Sequence, residues 1–111
     1  MPRPIRATVS IPAMRHNLAL ARERAPGRFL WAVVKANGYG HGLANAARGF
    51  AAADGLALVE FDGAAQLRRE GWSGPVLMLE GAFDPVDVSQ AASERLSLVV
   101  HEARQVEWLE A

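Results

Sequence analysis

Cysteine is absent from the sequence, which excludes disulfides, zinc-thiolate sites and thiol catalysis. Neither sign of charge is in excess, since Lys+Arg and Asp+Glu each number 12, so no net field favours nucleic acid or an anionic membrane. Long apolar runs are also lacking: none approaches the roughly 18 residues of a membrane span, and none follows the N-terminal charges as in a secretory signal. These absences predict a soluble, cytoplasmic protein with no metal site and no nucleic-acid or membrane partner.

Strand and helix signals alternate along the chain. Four apolar runs begin near residues 30, 56, 76 and 97, and each gap between them is long enough for one helix. The runs are nearly continuous, which is typical of buried parallel strands. We therefore predict an α/β fold of about four parallel βα units, which is half of a (β/α)8 TIM barrel. A closed barrel needs about 250 residues, and a half barrel leaves two open sheet edges, so we expect a fragment.

Capping signals predict where the helices begin and end. A Ser or Asp side chain before an apolar-periodic segment is typical of an N-cap, and proline favours the first turn. The predicted N-caps are Ser10 for a helix over about 12–24, Asp62 for a helix stopped by Gly71, and Asp84 for a short helix through about Ala92.

The most informative stretch is residues 30–42, where an apolar run ends in Lys35 and breaks into a loop with three glycines in five residues. Lys35 is the only lysine of the chain. An amine at the end of a buried strand is partly desolvated, which favours the neutral form that attacks a carbonyl. The glycines permit positive φ and close approach of a ligand. The lysine precedes the glycines, so this is not a nucleotide-binding P-loop.

Residues 33–42 resemble, through all ten positions, the cofactor-lysine signature of the alanine racemases, pyridoxal phosphate (PLP) enzymes built on a TIM barrel and a β domain. Three further stretches are similar in order: residues 15–17, 67–71 and 75–81, the last of which is closer to the catabolic branch. The resemblance implies that residues 1–111 are part of the N-terminal barrel domain, without the C-terminal β domain.

The resemblance also implies an activity, the interconversion of L-alanine and D-alanine for peptidoglycan precursors or catabolism. Lys35 would form the Schiff base with PLP and act as one of two bases, and the hydroxyl of Tyr39 would bind the cofactor phosphate. Packing of Tyr39 on the next helix is the alternative. In the family the second base comes from the partner subunit of a homodimer, so we expect no racemisation by these residues alone. Serine or broader specificity stays open.

Each predicted strand ends in an ionisable side chain. Lys35 ends the first strand, and Glu60, Glu80 and His101 end the second, third and fourth. Active sites of TIM barrels lie at the carboxyl ends of the strands, so these four side chains are predicted to share one rim. The alternative for the last three is that charge begins where the strand meets solvent.

The remaining polar and aromatic candidates are interpreted as structural. His41 is predicted to bond the loop backbone, and His16 and Asn17 to serve packing or capping on the first helix. The tryptophans, Trp31, Trp72 and Trp108, are predicted to pack, and the cluster Arg22, Glu23 and Arg24 is predicted to be a solvated face.

Two other kinds of protein resemble part of the lysine stretch. PLP-dependent decarboxylases carry an apolar strand ending in Lys-Ala-Asn, and a non-enzymatic PLP-binding homeostasis protein resembles the barrel alone. Neither continues as Gly-Tyr-Gly-His-Gly, which residues 38–42 do, and this continuation favours a racemase. A third alternative is a half barrel that acts only with a complementary chain.

Overall fold

The computed structural model describes residues 3–111 and follows the predicted alternation of helices and strands. In chain order the elements are α1 (Ile11–Arg24), β1 (Trp31–Val33), α2 (Lys35–Tyr39), α3 (Leu43–Gly49), β2 (Gly55–Leu58), α4 (Phe61–Arg69), β3 (Val76–Met78), α5 (Pro85–Glu94), β4 (Ser97–Leu98) and α6 (Ala103–Glu110). Within residues 3–111, no helix has both the length and the apolar character that a membrane crossing requires.

The four strands form one sheet in the order β1-β2-β3-β4, and every neighbouring pair is parallel. Val33 pairs with Ala57, and Met78 lies between Leu58 and Leu98. Strands that are parallel and consecutive require a crossover after each strand, and a helix supplies every one. The predicted α/β fold of four βα units is thus confirmed, although β4 is shorter than the predicted run over residues 96–100.

The hydrophobic core lies between the sheet and its helices. The largest fully buried side chains are Leu56, Leu58, Leu67, Met78, Val34 and Val76. Burial of a side chain of this size contributes about 1.5–3 kcal/mol relative to its exposed state. The opposite face of β1 is open, with Trp31 37% and Val33 38% exposed. The face of β1 away from the helices is therefore uncovered in residues 3–111, whereas all four residues of β2 are buried.

The three tryptophans differ in how they pack. Trp72 joins the core and donates from Nε1 to the carbonyl of Pro75 at 3.1 Å, as a packing residue should. Trp31 stacks obliquely on Phe29, with ring centroids 4.8 Å apart, and its ring covers Gly55 on the open sheet face. Trp108 on α6 is partly buried, and the Arg104 guanidinium lies 5.9 Å from its ring centroid. The packing prediction is thus confirmed for Trp72.

Two of the three predicted N-caps are confirmed. The Ser10 side chain accepts from the amide of Ala13 at 3.1 Å, and the Asp84 side chain accepts from the amide of Asp87 at 3.2 Å. The third prediction is wrong, because α4 begins at Phe61 and Asp62 lies inside its first turn. A carboxylate there still favours the helix through the macrodipole. The helix α5 is also longer than predicted and ends at Glu94.

The predicted solvated face on α1 is wrong at Arg22, whose guanidinium bridges two other segments. It lies 3.2 Å from the carboxylate of Asp54 and donates to the carbonyl of Ala52 at 2.8 Å. The same Asp54 oxygen accepts from the amide of Leu30 at 2.8 Å. These contacts tie the end of α1 to the start of β1 and to the turn before β2.

The acid stability of the protein is expected to depend on Asp54. The Leu30 amide and then the Arg22 guanidinium lower the pKa of the Asp54 carboxyl below its usual value. A lowered pKa in the folded state means that the stabilisation is present above the unfolded pKa of about 3.9 and is lost as pH falls through the folded pKa. Asp54→Asn should therefore unfold at lower urea concentration than wild type at neutral pH.

The same substitution should reduce the further loss of stability on acidification to about pH 3, where the unfolded carboxyl is protonated. Urea unfolding at both pH values measures this difference. Glu107→Gln is the matched control, since Glu107 is exposed on α6. Equal pH dependence in Asp54→Asn and in wild type would contradict the prediction.

Arg68 on α4 makes the most extensive side-chain contacts of this structure. Its guanidinium donates to four main-chain carbonyls: Glu94 at 2.8 Å, Trp72 at 2.9 Å, Gly74 at 2.6 Å and Arg95 at 3.0 Å. The first and last of these close the carboxyl end of α5, and the other two hold the loop that leads into β3. One side chain thus joins α4, β3 and α5.

Candidate active site

Lys35 lies where β1 leaves the core, as predicted. The amide of Val34 continues the ladder by donating to Ala57 at 2.8 Å, and its side chain is only 1% exposed. Lys35 follows at once and is half-buried. Within residues 3–111, its amine makes no ion pair with a carboxylate. The amine is therefore at the carboxyl end of β1, directly after the buried Val34, and within residues 3–111 it is not committed to a salt bridge.

The segment after the lysine is more regular than the glycine loop that was predicted. Ala36, Asn37, Gly38 and Tyr39 all have φ between +54° and +64°, so α2 is a left-handed helical turn. The amide of Gly38 donates to Val34 at 3.0 Å, and that of Gly40 donates to Ala36 at 3.0 Å. Left-handed geometry costs roughly 1–2 kcal/mol for each non-glycine residue. We refer to residues 35–42 as the lysine turn.

Three side chains, two of them in the lysine turn itself, offset this strain. Glu60 Oε1 accepts from the amide of Ala36 at 3.1 Å, and Asn37 Oδ1 accepts from the amide of Leu43 at 2.9 Å. His41 Nδ1 lies 3.0 Å from the carbonyl of Gly38, so the predicted structural role of His41 is confirmed. Unusual backbone conformations persist only where their surroundings determine them, and here polar contacts from three side chains do so.

A side chain in place of Gly38 would be unfavourable for two reasons, the φ of +64° and the close packing at this position. The residue is buried, and a Cβ added there would lie 3.0 Å from the Cβ of Ala46. The left-handed turn therefore presses its backbone against α3. Gly40, with φ of +88°, has no atom within 4 Å of such a Cβ, so the lysine turn has open space on that side.

Tyr39 projects from the lysine turn with 58% of its surface exposed. Its ring helps to line a shallow depression between the turn and the neighbouring helices, together with Met14, Asn17 and Phe50. His16 and Asn17 both lie on the exposed face of α1. The predicted packing or capping role of these two residues is therefore wrong, because the buried positions of α1 are Met14 and Leu18 and its N-cap is Ser10.

The other strand ends form a separate group of contacts. His101 Nε2 lies 3.0 Å from the carbonyl of Glu80, and the His101 amide donates to Gln105 Oε1 at 2.8 Å. Gln105 is only 3% exposed and also donates to the carbonyl of Ala82 at 3.0 Å. Glu60 instead contacts the lysine turn. The four ionisable residues thus follow adjacent parallel strands, but their contacts divide them into two pairs.

Gln105 was not singled out from the sequence. A glutamine in an amphipathic helix is usually exposed, and only its separation of four residues from His101 could have indicated a contact. Within the described residues 3–111, no group of three or more His, Cys, Asp or Glu side chains is placed to hold a metal ion.

The fold and this site define a domain of four parallel βα units that presents a lysine amine at the end of its first strand. A family model described as the alanine racemase N-terminal domain matches residues 9–111. The chain therefore belongs to the alanine racemase family, whose members are known to depend on PLP.

Individual relatives agree with this assignment. An alanine racemase of Janthinobacterium sp. (strain Marseille) is 56% identical over 110 residues, which are 99% of this chain and 31% of the relative. The solved alanine racemase of Acinetobacter baumannii superposes with a TM-score of 0.86 at 28% identity, over 89% of this chain and 28% of that one. The biosynthetic alanine racemase of Pseudomonas aeruginosa gives a TM-score of 0.85 at 40% identity, and the superposition covers 90% of this chain and 28% of that one.

The chain thus spans about 30% of the length of the relatives that it matches. Its four βα units correspond to the N-terminal part of the racemase barrel. The predicted likeness to the catabolic branch stays a prediction.

Proposed function

We propose that residues 1–111 form part of the N-terminal barrel domain of a PLP-dependent alanine racemase, with Lys35 as the lysine that binds the cofactor. The observation that carries this proposal is the position of Lys35 at the carboxyl end of β1, directly before a left-handed turn held by side chains. Active sites of βα barrels occupy this end of the strands. Membership in the racemase family favours this proposal over a decarboxylase or a PLP-homeostasis protein.

The residues present fit PLP in their chemistry. An aldehyde requires an amine, and Lys35 offers one that forms no ion pair within residues 3–111. A phosphate requires hydrogen-bond donors, and Tyr39 carries a phenol 58% exposed on the same turn. Gly40, which follows Tyr39, has no atom within 4 Å of an added Cβ, so this part of the turn is open. We therefore propose Lys35 and Tyr39 as cofactor-binding residues, with the other phosphate contacts supplied by strands outside residues 1–111.

When bound, PLP supplies an electron sink that stabilises negative charge on the α-carbon of the amino acid. Lys35 is proposed to hold or release the α-proton at Nζ on one face of that carbon. The buried side chain of Val34 fixes the strand end from which this amine projects. The apolar residues Trp31 and Val33 line the open sheet face and would limit the access of water once that face is covered.

Racemisation requires a second acid/base on the opposite face of the substrate. Tyr39 is the only tyrosine of the chain and lies on the same turn as Lys35, so it is poorly placed for that role. We propose that the second group belongs to the partner subunit of a homodimer, in a C-terminal β domain outside residues 1–111. Alanine as substrate and a cytoplasmic location belong to the same proposal.

The proposal predicts that PLP attaches to Lys35 in preference to the N-terminal amine. These are the only two primary amines of the chain, so the label can be found at only two positions. PLP is added to the purified chain, borohydride makes any attachment permanent, and peptide mass spectrometry locates the label. We expect the ratio of Lys35 label to N-terminal label to rise by about tenfold over the same chain in urea, because only the folded chain holds the Lys35 amine and the Tyr39 phenol on one turn.

Lys35→Arg is the matched control, since it keeps the charge and removes the amine. Its label should be confined to the N-terminus. Circular dichroism establishes that the wild-type and variant chains are equally folded. A label ratio that is equal in buffer and in urea would contradict the proposed site in these residues.

A further inference from the structure

We propose that Glu60 is a positioning residue that sets the orientation of Lys35 through the peptide bond between Lys35 and Ala36. This inference rests on the proposed function and concerns the same site. Glu60 is the N-cap residue of α4, but its side chain does not cap that helix. Its Oε1 instead accepts from the amide of Ala36 at 3.1 Å, in the neighbouring βα unit. The short side chains that are preferred at this position, such as Asp or Ser, cap their own helix, whereas the longer Glu60 side chain bonds to another segment.

The bonded amide occupies a particular place in the sheet. Alternate amides of β1 face β2, and the amide of Val34 donates to the carbonyl of Ala57. The next amide on that side is that of Ala36, where the chain has already entered the left-handed turn. The carboxylate of Glu60 thus supplies the acceptor at the point where the regular ladder ends.

This contact can orient the lysine because the peptide unit is rigid. The amide of Ala36 and the carbonyl of Lys35 lie in one plane, so fixing the N–H direction fixes the plane next to the Lys35 Cα. The plane in turn sets ψ of Lys35 and φ of Ala36, which is +54°. A hydrogen bond to a carboxylate is charge-assisted and stronger than a neutral one. Glu60 therefore acts on the lysine through its backbone.

The contact also leaves the lysine amine available. A carboxylate beside a lysine commonly forms an ion pair, but the ion pairs within residues 3–111 are Arg22 with Asp54 and Arg104 with Glu102. Glu60 is thus bonded to the backbone amide, and no carboxylate of the described segment lies within 4.0 Å of the amine. Orientation without pairing is what a nucleophilic amine requires.

Two measurements on Glu60→Ala test the proposal, with Asp62→Ala as the matched control. Asp62 is an exposed carboxylate in the first turn of the same helix. The first measurement is hydrogen exchange of the Ala36 amide by NMR, which needs no cofactor. The second is the ratio of Lys35 label to N-terminal label with PLP and borohydride. We expect about tenfold faster exchange and about tenfold lower label ratio in Glu60→Ala, and no change in either for Asp62→Ala.

Glu60→Gln provides a rescue, because its amide oxygen can still accept from Ala36. Its label ratio should lie within about twofold of wild type. Unchanged Ala36 exchange and an unchanged label ratio in Glu60→Ala would overturn the proposal. A rise in exchange spread over all of β1 would also overturn it, because it would indicate a general loss of stability. If Lys35 is unreactive in every variant while Ala36 exchange still responds, the proposed cofactor site is wrong. The hydrogen bond between the Ala36 amide and Glu60 is then still supported.

Discussion

Arg68→Ala should lower the free energy of unfolding by about 3 kcal/mol, since it removes several charge-assisted hydrogen bonds at once. The guanidinium satisfies the carbonyls of Trp72, Gly74, Glu94 and Arg95, with distances from 2.6 to 3.0 Å. Without it, the carbonyls that are shielded from water lose their partners. We expect the βα unit around β3 and α5 to lose stability first.

The environment of Arg68 explains why another basic residue should not replace it fully. Burial, and then the nearby charge of Arg95, lower the pKa of Arg68, so the folded chain accommodates this charge at a cost. The four carbonyls offset that cost because the planar guanidinium reaches several acceptors in fixed directions. An ammonium has three donors on one atom and cannot span them. Arg68→Lys should therefore recover less than half of the loss.

Urea unfolding followed by circular dichroism measures both variants. Arg69→Ala is the matched control, because Arg69 is the next residue of α4, carries the same charge and is exposed. Its stability should stay within about 0.5 kcal/mol of wild type. If Arg68→Ala and Arg69→Ala unfold at the same urea concentration, the carbonyl contacts of Arg68 do not contribute to stability in solution.

The sequence was sufficient for the features that depend on local patterns. The four strands, the caps at Ser10 and Asp84 and the exit of β1 at Lys35 all follow from apolar runs and from residues within a few positions. Such signals reflect backbone preferences and burial, which short segments encode by themselves. The family resemblance of residues 33–42 added the proposed chemistry of the lysine, which no periodicity could supply.

The features that were missed depend on contacts between distant segments. Glu60 and Ala36 are 24 residues apart, Arg22 and Asp54 are 32 apart, and Arg68 reaches Glu94 across 26. Each side chain bonds to a partner that only the fold brings near, so the local pattern predicted a solvated face at Arg22 and no contact for Arg68. The prediction at Asp62 failed for a local reason, since α4 begins at Phe61 and its N-cap position is Glu60, two residues before the predicted one.

The lysine turn shows how local and distant effects combine. Its glycines predicted positive φ at Gly38, Gly40 and Gly42, and all three have it. No local pattern predicted the same conformation at Ala36 and Tyr39, because left-handed geometry is unfavourable for them. The polar contacts of the turn with neighbouring elements provide that reason. Residues with strained backbones are frequent at functional sites, where the surrounding structure holds them in place.

Gly81→Ala is expected to be the most damaging single methyl addition at a turn, with a loss of about 4 kcal/mol in the free energy of unfolding. Gly81 has φ of +70°, where an alanine is strained in any surroundings. A Cβ there would also overlap the carbonyl oxygen of Val99 and lie 2.9 Å from Gln105 Nε2. The overlapping atom belongs to the backbone, so rotation of a side chain cannot relieve it.

Hydrogen bonds prevent the two backbones from moving apart. The carbonyl of Met78 accepts from the amides of both Gly81 and Val99, each at 3.1 Å, so the turn after β3 and the end of β4 converge on one oxygen. Gln105 fixes the same region by donating to Ala82. Separation of the two segments would break these contacts and leave polar groups without partners. The steric cost therefore adds to the strain of φ.

Gly27→Ala separates these two costs, since Gly27 has a nearly equal φ of +74° and no atom within 4 Å of an added Cβ. Gly27→Ala should lower the free energy of unfolding only by the cost of the backbone strain, about 1 kcal/mol. Thermal and urea unfolding of the two variants give the steric contribution as their difference, about 3 kcal/mol. Equal losses in the two variants would mean that β4 yields to the methyl group. The junction between the third and fourth βα units would then be looser than its hydrogen bonds imply.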